Sequence, residues 1–297
     1  MDKSQTSVRS EDSSIENSEN KKPANSGKSL PLSVAIIAHN AERHIGRCLN
    51  SVRDIAAEIV VVHNDCSDNT VKIANELGAK TVEQEWLGFR DQKNIALDHC
   101  SEPWILSIDA DEELSPDLKK SIVSLIERDS QYFNGAYFAR KVWFMGRWIT
   151  HGDWYPDHCL RILRNGQGRW TGGHIHEQLK VDGKVSKING DLHHFPSPNM
   201  NHQLEKLVQY SDLYLQDQIE KEKRWSAFNT IFRSIWRFIR AYFLKLGFLD
   251  GYPGLYIAWT HSFSVFFRCS RLYEHIYHTE FPPETQQPSE NHNPIPQ

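Results

Sequence analysis

The chain has 297 residues, a formal net charge of −4, and 39% hydrophobic against 24% charged residues. That length supports one large or two small domains with a real core, and the mild acidity excludes a general nucleic-acid binder, which would carry a marked basic excess. Five scattered cysteines (Cys48, Cys66, Cys100, Cys159 and Cys269) form no C-x-x-C pair, so neither a disulfide framework nor a zinc ribbon is expected and a reducing compartment fits. With no apolar signal-peptide region at the N-terminus, the protein is expected on the cytoplasmic side.

Residues 1–30 are Ser, Asn, Lys and Glu with few large apolar side chains. They cannot bury enough surface to offset the entropy of ordering and are expected to be disordered. From Leu32 an α/β alternation begins. Strands are expected at Leu32–Ile37, Glu58–Val62, Lys80–Glu83 and Trp104–Ile108. Helices are expected at Ala41–Val52, Ser67–Leu77 and about Arg90–His99. Near-continuous apolar strands alternating with amphipathic helices imply an α/β fold with a mostly parallel sheet covered by helices on both faces. A further helix is expected from Leu114 to about Glu127, short β pieces such as Gly135–Val142 within 135–195, and helix from Leu204 onward. The Pro- and Gln-rich stretch 282–297 is again expected to be disordered.

In parallel sheets ligands sit beyond the carboxyl ends of the strands, and that is where the polar residues gather: His39-Asn40, His63-Asn64-Asp65, and Asp109 with Asp111. Asp109 and Asp111 close a buried strand two residues apart, so their carboxylates can point to one side. Unpaired charges there are costly to desolvate, which makes a cation the natural neutraliser. Oxygen ligands suit Mg²⁺ or Mn²⁺, which take few carboxylates together with phosphate oxygens. The plainer alternative is that Asp109, Asp111, Glu112 and Glu113 only favour the N-terminus of the helix near Pro116.

The segments Ile36-Ile37-Ala38-His39-Asn40-Ala41-Glu42, Ser67-Asp68-Asn69-Thr70, Gln92-Lys93-Asn94 and Asp109-Ala110-Asp111 together resemble glycosyltransferase family two, the inverting GT-A-fold enzymes. The resemblance continues through Trp154-Tyr155-Pro156-Asp157, Leu160-Arg161-Ile162-Leu163-Arg164, His176-Glu177, Trp236-Arg237-Phe238 and Leu246–Gly251. That set is similar to the branch containing bacterial lipopolysaccharide-core β-1,4-glucosyltransferases. It implies a Rossmann-like GT-A domain over 31–200 that uses a nucleotide-sugar donor, with a UDP-hexose as the leading choice. Donor-binding residues would be His39, Asn40, Glu42, Asn64, Asp65, Lys93 and Asp109. The cation would be held by Asp109, Asp111 and His194, and the base that deprotonates the acceptor hydroxyl would be Asp157 or Glu177. One departure stands out: family members commonly carry Asp directly after the second strand, whereas this turn reads His63-Asn64-Asp65-Cys66-Ser67. Either Asn64 or Asp65 would then meet the base, or both only shape the turn.

His174, His176, His193 and His194 could form a zinc set, although no H-E-x-x-H or cysteine pair supports one. Arg161 and Arg164 could contact phosphate or be ordinary strand cations. Over 201–281, Phe228, Ile231, Phe232, Ile235, Trp236, Ile239, Tyr242, Phe243 and Leu246 recur at helical spacing, with Arg233, Arg237, Arg240 and Lys245 largely off the stripe. That pattern is expected of a basic amphipathic helix on an anionic membrane surface, or of a helix packed on the catalytic domain. The segment Gly251–Phe267 is too short for a comfortable span and is expected to be re-entrant, interfacial or core. The combined expectation is a transferase, peripheral on the cytoplasmic face of the inner or plasma membrane, that glycosylates a glycolipid or cell-envelope saccharide. A nucleotidyltransferase would need a Gly-rich basic loop after the first strand, which His39-Asn40-Ala41-Glu42 is not. A non-catalytic sugar-nucleotide-binding or scaffolding relative is the other alternative.

Overall fold

The computed structural model describes residues 29–172, 177–196 and 200–277. The expected disorder of the tails falls almost wholly outside these residues, as do His174 and His176.

Four strands, β1 (Leu30–Ala38), β2 (Ala56–His63), β3 (Lys80–Glu83) and β4 (Trp104–Asp109), pair in parallel in the order β3-β2-β1-β4. The helices α1 (Glu42–Val52), α2 (Thr70–Glu76) and α3 (Phe89–Asp98) connect them. Beyond β4 the sheet continues through β8 (Asp157–Arg164), β6 (Gly135–Phe144), β11 (Val185–His194) and β5 (Glu112–Leu114), with β7 (Arg147–Trp148) on β6. Here β8 runs antiparallel to both β4 and β6, and β5 antiparallel to β11. The sheet is therefore mixed: β11 pairs in parallel with β6, but the expectation of a mostly parallel sheet holds without interruption only over β3-β2-β1-β4. The change of direction lies at β8, which sits between β4 and β6 and runs against both, after α4 (Pro116–Ser124) has led the chain to the far side of the sheet.

Helices do cover both faces. Ile45, Leu49 and Val52 of α1, Ala74 of α2, and Leu118 and Ile122 of α4 pack on one side with Leu32, Val34, Ile36, Leu106 and Ile108. Ala96 and Leu97 of α3 pack on the other side with Ala35, Val60, Val62 and Ile105. A ribbon of β9 (Gly168–Thr171) and β10 (Gln178–Val181) adds Trp170 and Leu179 to that layer. The alternation of these strand residues between two covered faces is what a central strand of apolar composition requires.

Two local features shape the site. Helix α2 starts at Thr70, not Ser67, because the Asp68 carboxylate accepts from the Thr70 amide at 2.9 Å and holds the preceding residues in a turn. Gly190, at φ +98°, lets β11 pass against the first turn of α4, where a Cβ would sit 2.5 Å from the Leu118 Cα. That close passage delivers His193 and His194 to the end of the sheet.

The C-terminal region is α5 (Met200–Glu220), α6 (Ala227–Ile239) with a π-helical turn (Arg240–Leu244), a 3₁₀ turn (Gly247–Asp250) and α7 (Gly251–Tyr277). The stripe expected to run unbroken to Leu246 ends in that residue's left-handed backbone, φ +57°. Gly251–Phe267 is the first part of α7. Among the described residues no helix is long and apolar enough to cross a membrane.

Candidate active site

The carboxyl ends of β1, β2 and β4 lie side by side, with Ala38 opposite His63 and Ile37 opposite Asp109. The β1–α1 loop is stitched to the β2–α2 loop. One nitrogen of His39 meets the Asn64 carbonyl at 2.8 Å, and Asn40, at φ +45°, accepts from the Ser67 amide at 2.9 Å. Glu42 accepts from the Asn69 amide at 2.8 Å, and its own amide donates to Asp68 at 3.0 Å. His39, Asn40 and Glu42 thus build the rim. Asn64 is half-buried and Asp65 exposed at its edge, the latter in the left-handed region at φ +39°.

At the end of β4, Asp109 is gripped from two sides: Lys93 Nζ is 3.1 Å from Oδ1, and an Arg161 Nη is 3.0 Å from Oδ2. Burial opposes its ionisation, but Lys93 and Arg161 outweigh that and hold the carboxyl far below the usual carboxylate range. Arg161 also reaches Glu112 at 3.2 Å, Arg140 meets Glu112 at 3.4 Å, and Arg140 meets Asp157 at 2.7 Å. The result is a chain of alternating charges, Lys93–Asp109–Arg161–Glu112–Arg140–Asp157, crossing four strands. Glu112 is fully buried and also accepts from the Asp109 amide at 2.9 Å. Such buried charges persist only when each is paired. Lys93 and Arg161 further lie over the Trp170 ring, at 4.5 and 5.2 Å from its centroid. Two of Arg161's nitrogens, Nε and Nη1, are buried with no hydrogen-bond partner among the described residues.

Asp111 stands apart from this network. It is about one-third exposed, and its nearest ionic neighbour is His194 Nε2 at 3.4 Å. Among the described residues no three His, Cys, Asp or Glu side chains converge into a metal cage. A cage is not what Mg²⁺ or Mn²⁺ needs beside a diphosphate, where one or two protein ligands suffice. The Asp111–His194 pair fits that role, whereas both oxygens of Asp109 are already engaged by cations. His193 goes elsewhere, against Trp148 at 4.2 Å and Glu113 at 3.4 Å.

Asp157 and His194 line one cavity of about 500 Å³, walled by Arg140 and Val142 of β6, by Trp154 before β8, and by Tyr256, Ile257 and Thr260 from α7. Glu177 is not part of that wall; it is held by Lys93 at 3.3 Å. Arg164 lies away from this cluster, over the Trp104 ring and bonded to the Phe133 carbonyl at 3.3 Å.

Arg140 and Asp153 were not singled out by sequence reasoning. The signal for Arg140 was present: it shares a strand face with Phe138, Val142 and Phe144, all buried, so a charge there calls for a partner. Asp153, its side chain 2% exposed, draws Arg237 (2.8 Å), Arg240 (3.0 Å), Lys245 (3.0 Å) and His261 (3.5 Å). Three of the four cations expected to face lipid therefore turn inward.

The sequence profile described as glycosyl transferase family 2 matches residues 33–178. An uncharacterized glycosyltransferase of Rickettsia typhi is 32% identical over 254 residues, 82% of this chain and 87% of the relative. A lipopolysaccharide core biosynthesis glycosyltransferase of Rhizobium meliloti, LpsC, is 31% identical over 252 residues, 82% of this chain and 93% of the relative. Among solved structures, Staphylococcus aureus TarS in complex with UDP-GlcNAc aligns at 15% identity over 81% of this chain and 83% of its own, with a TM-score of 0.46. With relatives above 30% identity matched over most of their length, the chain belongs to glycosyl transferase family 2.

Proposed function

We propose that this protein is an inverting, divalent-cation-dependent hexosyltransferase that moves a sugar from a nucleoside diphosphate donor, a UDP-hexose first among them, to a glycolipid or cell-envelope saccharide of the lipopolysaccharide-core kind. The observation that carries the reading is the meeting of two half-sites at His194. On one side it pairs with Asp111 at the end of the nucleotide-binding strands, and on the other it shares a 500 Å³ cavity with Asp157.

The rim of His39, Asn40, Glu42, Asn64 and Asp65 receives the nucleoside, with Asn64 and Asp65 closest to where a base would lie. Lys93 and Arg161, gathered on Asp109, provide positive charge for the diphosphate, and the unpaired Arg161 nitrogens are donors it can use. Asp111 and His194 would hold Mg²⁺ or Mn²⁺, which when bound offsets the charge that develops on the departing diphosphate. Asp157 takes the proton from the acceptor hydroxyl as that oxygen attacks the anomeric carbon from the face opposite the leaving group. Each carboxylate has a cationic partner, Arg140 for Asp157 and Lys93 for Glu177, and Asp157 is preferred because it lines the cavity and Glu177 does not. Similarity to LpsC supports the acceptor class.

The test is a panel of nucleoside diphosphate sugars offered with core-type saccharide acceptors, with product anomers read by NMR. Inversion at the anomeric carbon with Mn²⁺ or Mg²⁺ present is expected; a product of retained configuration would contradict the mechanism.

A further inference from the structure

Resting on the transferase reading above, we propose that the α6–α7 hairpin lies in the surface of an anionic bilayer by apolar insertion, and that it hands a lipid-linked acceptor to the cavity holding Asp157.

Helix α6 is inside out for a helix in water. Its buried residues are Thr230 and Ser234, while Phe228 (75% exposed), Ile231, Phe232, Ile235, Trp236 and Ile239 face outward. The partner helix α7 is apolar on both sides: Ile257, Ala258, Val265, Cys269 and Leu272 turn in, and Leu255, Trp259 (67% exposed), Phe263 and Phe266 turn out. The two run antiparallel, since Ser262 donates to the Ser234 carbonyl at 2.8 Å and the Phe238 and Trp259 rings meet at 5.7 Å. Hydroxyls turned to the partner helix with large apolar side chains outside, as on α6, is the arrangement of a helix packed within lipid. Apolar residues exposed on this scale mark an interaction surface.

Charge selects a bilayer over a second copy of the chain. Between residues 221 and 249 the single carboxylate is Glu222. Arg237, Arg240 and Lys245 are spent on Asp153, which fastens the hairpin to the catalytic domain. Lys223, Arg224 and Arg233 stay exposed, with no carboxylate partner among the described residues, and suit lipid phosphates. A second copy would set these cations against one another. Among the described residues no helix is long and apolar enough to cross a membrane, and the exposed apolar faces flanked by cations suit a hairpin lying in the interface. The cavity then explains the placement: Tyr256, Ile257 and Thr260 on the inner side of α7 wall it, while Leu255 and Trp259 lie on the lipid side of the same two turns.

Because insertion is apolar, binding resists salt. The full chain is floated with phosphatidylethanolamine–phosphatidylglycerol vesicles at low and high salt, beside Ile235→Glu with Ile239→Glu, and separately Trp259→Glu. These sites are exposed, so the fold survives. The unaltered chain is expected to float at both salt levels, each variant to lose about tenfold or more in partitioning, and transfer to a lipid-linked acceptor to fall while donor turnover on a water-soluble acceptor is retained. The proposal is overturned if the unaltered chain stays with the unbound protein, if the variants float equally, or if the chain forms a lipid-free dimer that the variants dissolve. Absence of donor turnover in the unaltered chain overturns the transferase reading, and with it acceptor delivery, while flotation still decides the docking.

Discussion

Asp109 and Asp111 are two residues apart yet belong to different chemistry. Asp109 is the anion at the centre of a cationic clamp, so Asp109→Asn leaves the buried Lys93 and Arg161 with one carboxylate each, Glu177 and Glu112. It is expected to cost about 2 kcal/mol of stability together with activity. Asp111 is partly exposed and its ion-pair partner among the described residues is His194, so Asp111→Asn is expected to remove activity with a melting temperature close to that of the unaltered chain. Calorimetry and turnover on the two variants separate these roles; equal loss of stability would contradict them. The D-x-D spacing was legible in the sequence as an acidic pair at a strand end. The division of labour was not, because it depends on Arg161, fifty-two residues downstream and brought in by the antiparallel strand β8. Glu112 was legible only as a helix-favouring acid, and its burial between two arginines comes from register that no local pattern encodes.

At the scale of elements, two buried carboxylates fasten the C-terminal helices to the sheet domain. Asp250, fully buried, accepts from the Thr150 amide at 3.0 Å, the Thr150 hydroxyl at 2.9 Å and the His151 amide at 2.8 Å. Asp250→Ala leaves those donors unpaired and is expected to cost about 3 kcal/mol, read by denaturant titration; a loss within a few tenths would contradict the anchoring. Asp153 answers to pH. Burial raises its pKa, but bonds from His261 and Lys245 and the charge of Arg237 outweigh that and leave it depressed. A group depressed on folding contributes stability that is fully present above the ordinary carboxylate pKa of about 4 and is lost as pH falls towards its folded value. Acid denaturation should therefore begin less steeply in Asp153→Asn, a protein already weaker at neutral pH, and an unchanged acid slope would argue against the clasp. The parallel half of the fold was legible because apolar runs and 3.6-residue periodicity are local signals. The mixed half was not, because β8 and β11 mix polar and apolar residues and derive their order from partners far along the chain.

For the whole molecule, the thiols report on the assembled core. Burial pushes Cys48 well up, Cys100 to about 12 and Cys159 to about 11, whereas Cys66 sits half-buried in the loop after β2. Mild alkylation of the native chain is expected to label Cys66 ahead of the other four, and a nucleoside diphosphate sugar to slow that labelling; preferential labelling of Cys159 would contradict the packing of β8 on β6. The amphipathic stripe of α6 was visible in the sequence, but its orientation was not, since the sequence shows which side is apolar and not which side finds a partner. The central claim is that a metal-assisted donor site and an acceptor cavity meet at His194. It is tested most directly by release of nucleoside diphosphate from a UDP-hexose in the presence of acceptor, with and without Mn²⁺, in the unaltered chain and in Asp111→Ala. The account predicts metal-dependent release that falls by about a hundredfold or more in the variant. Full turnover in Asp111→Ala, or equal release without metal, would contradict it.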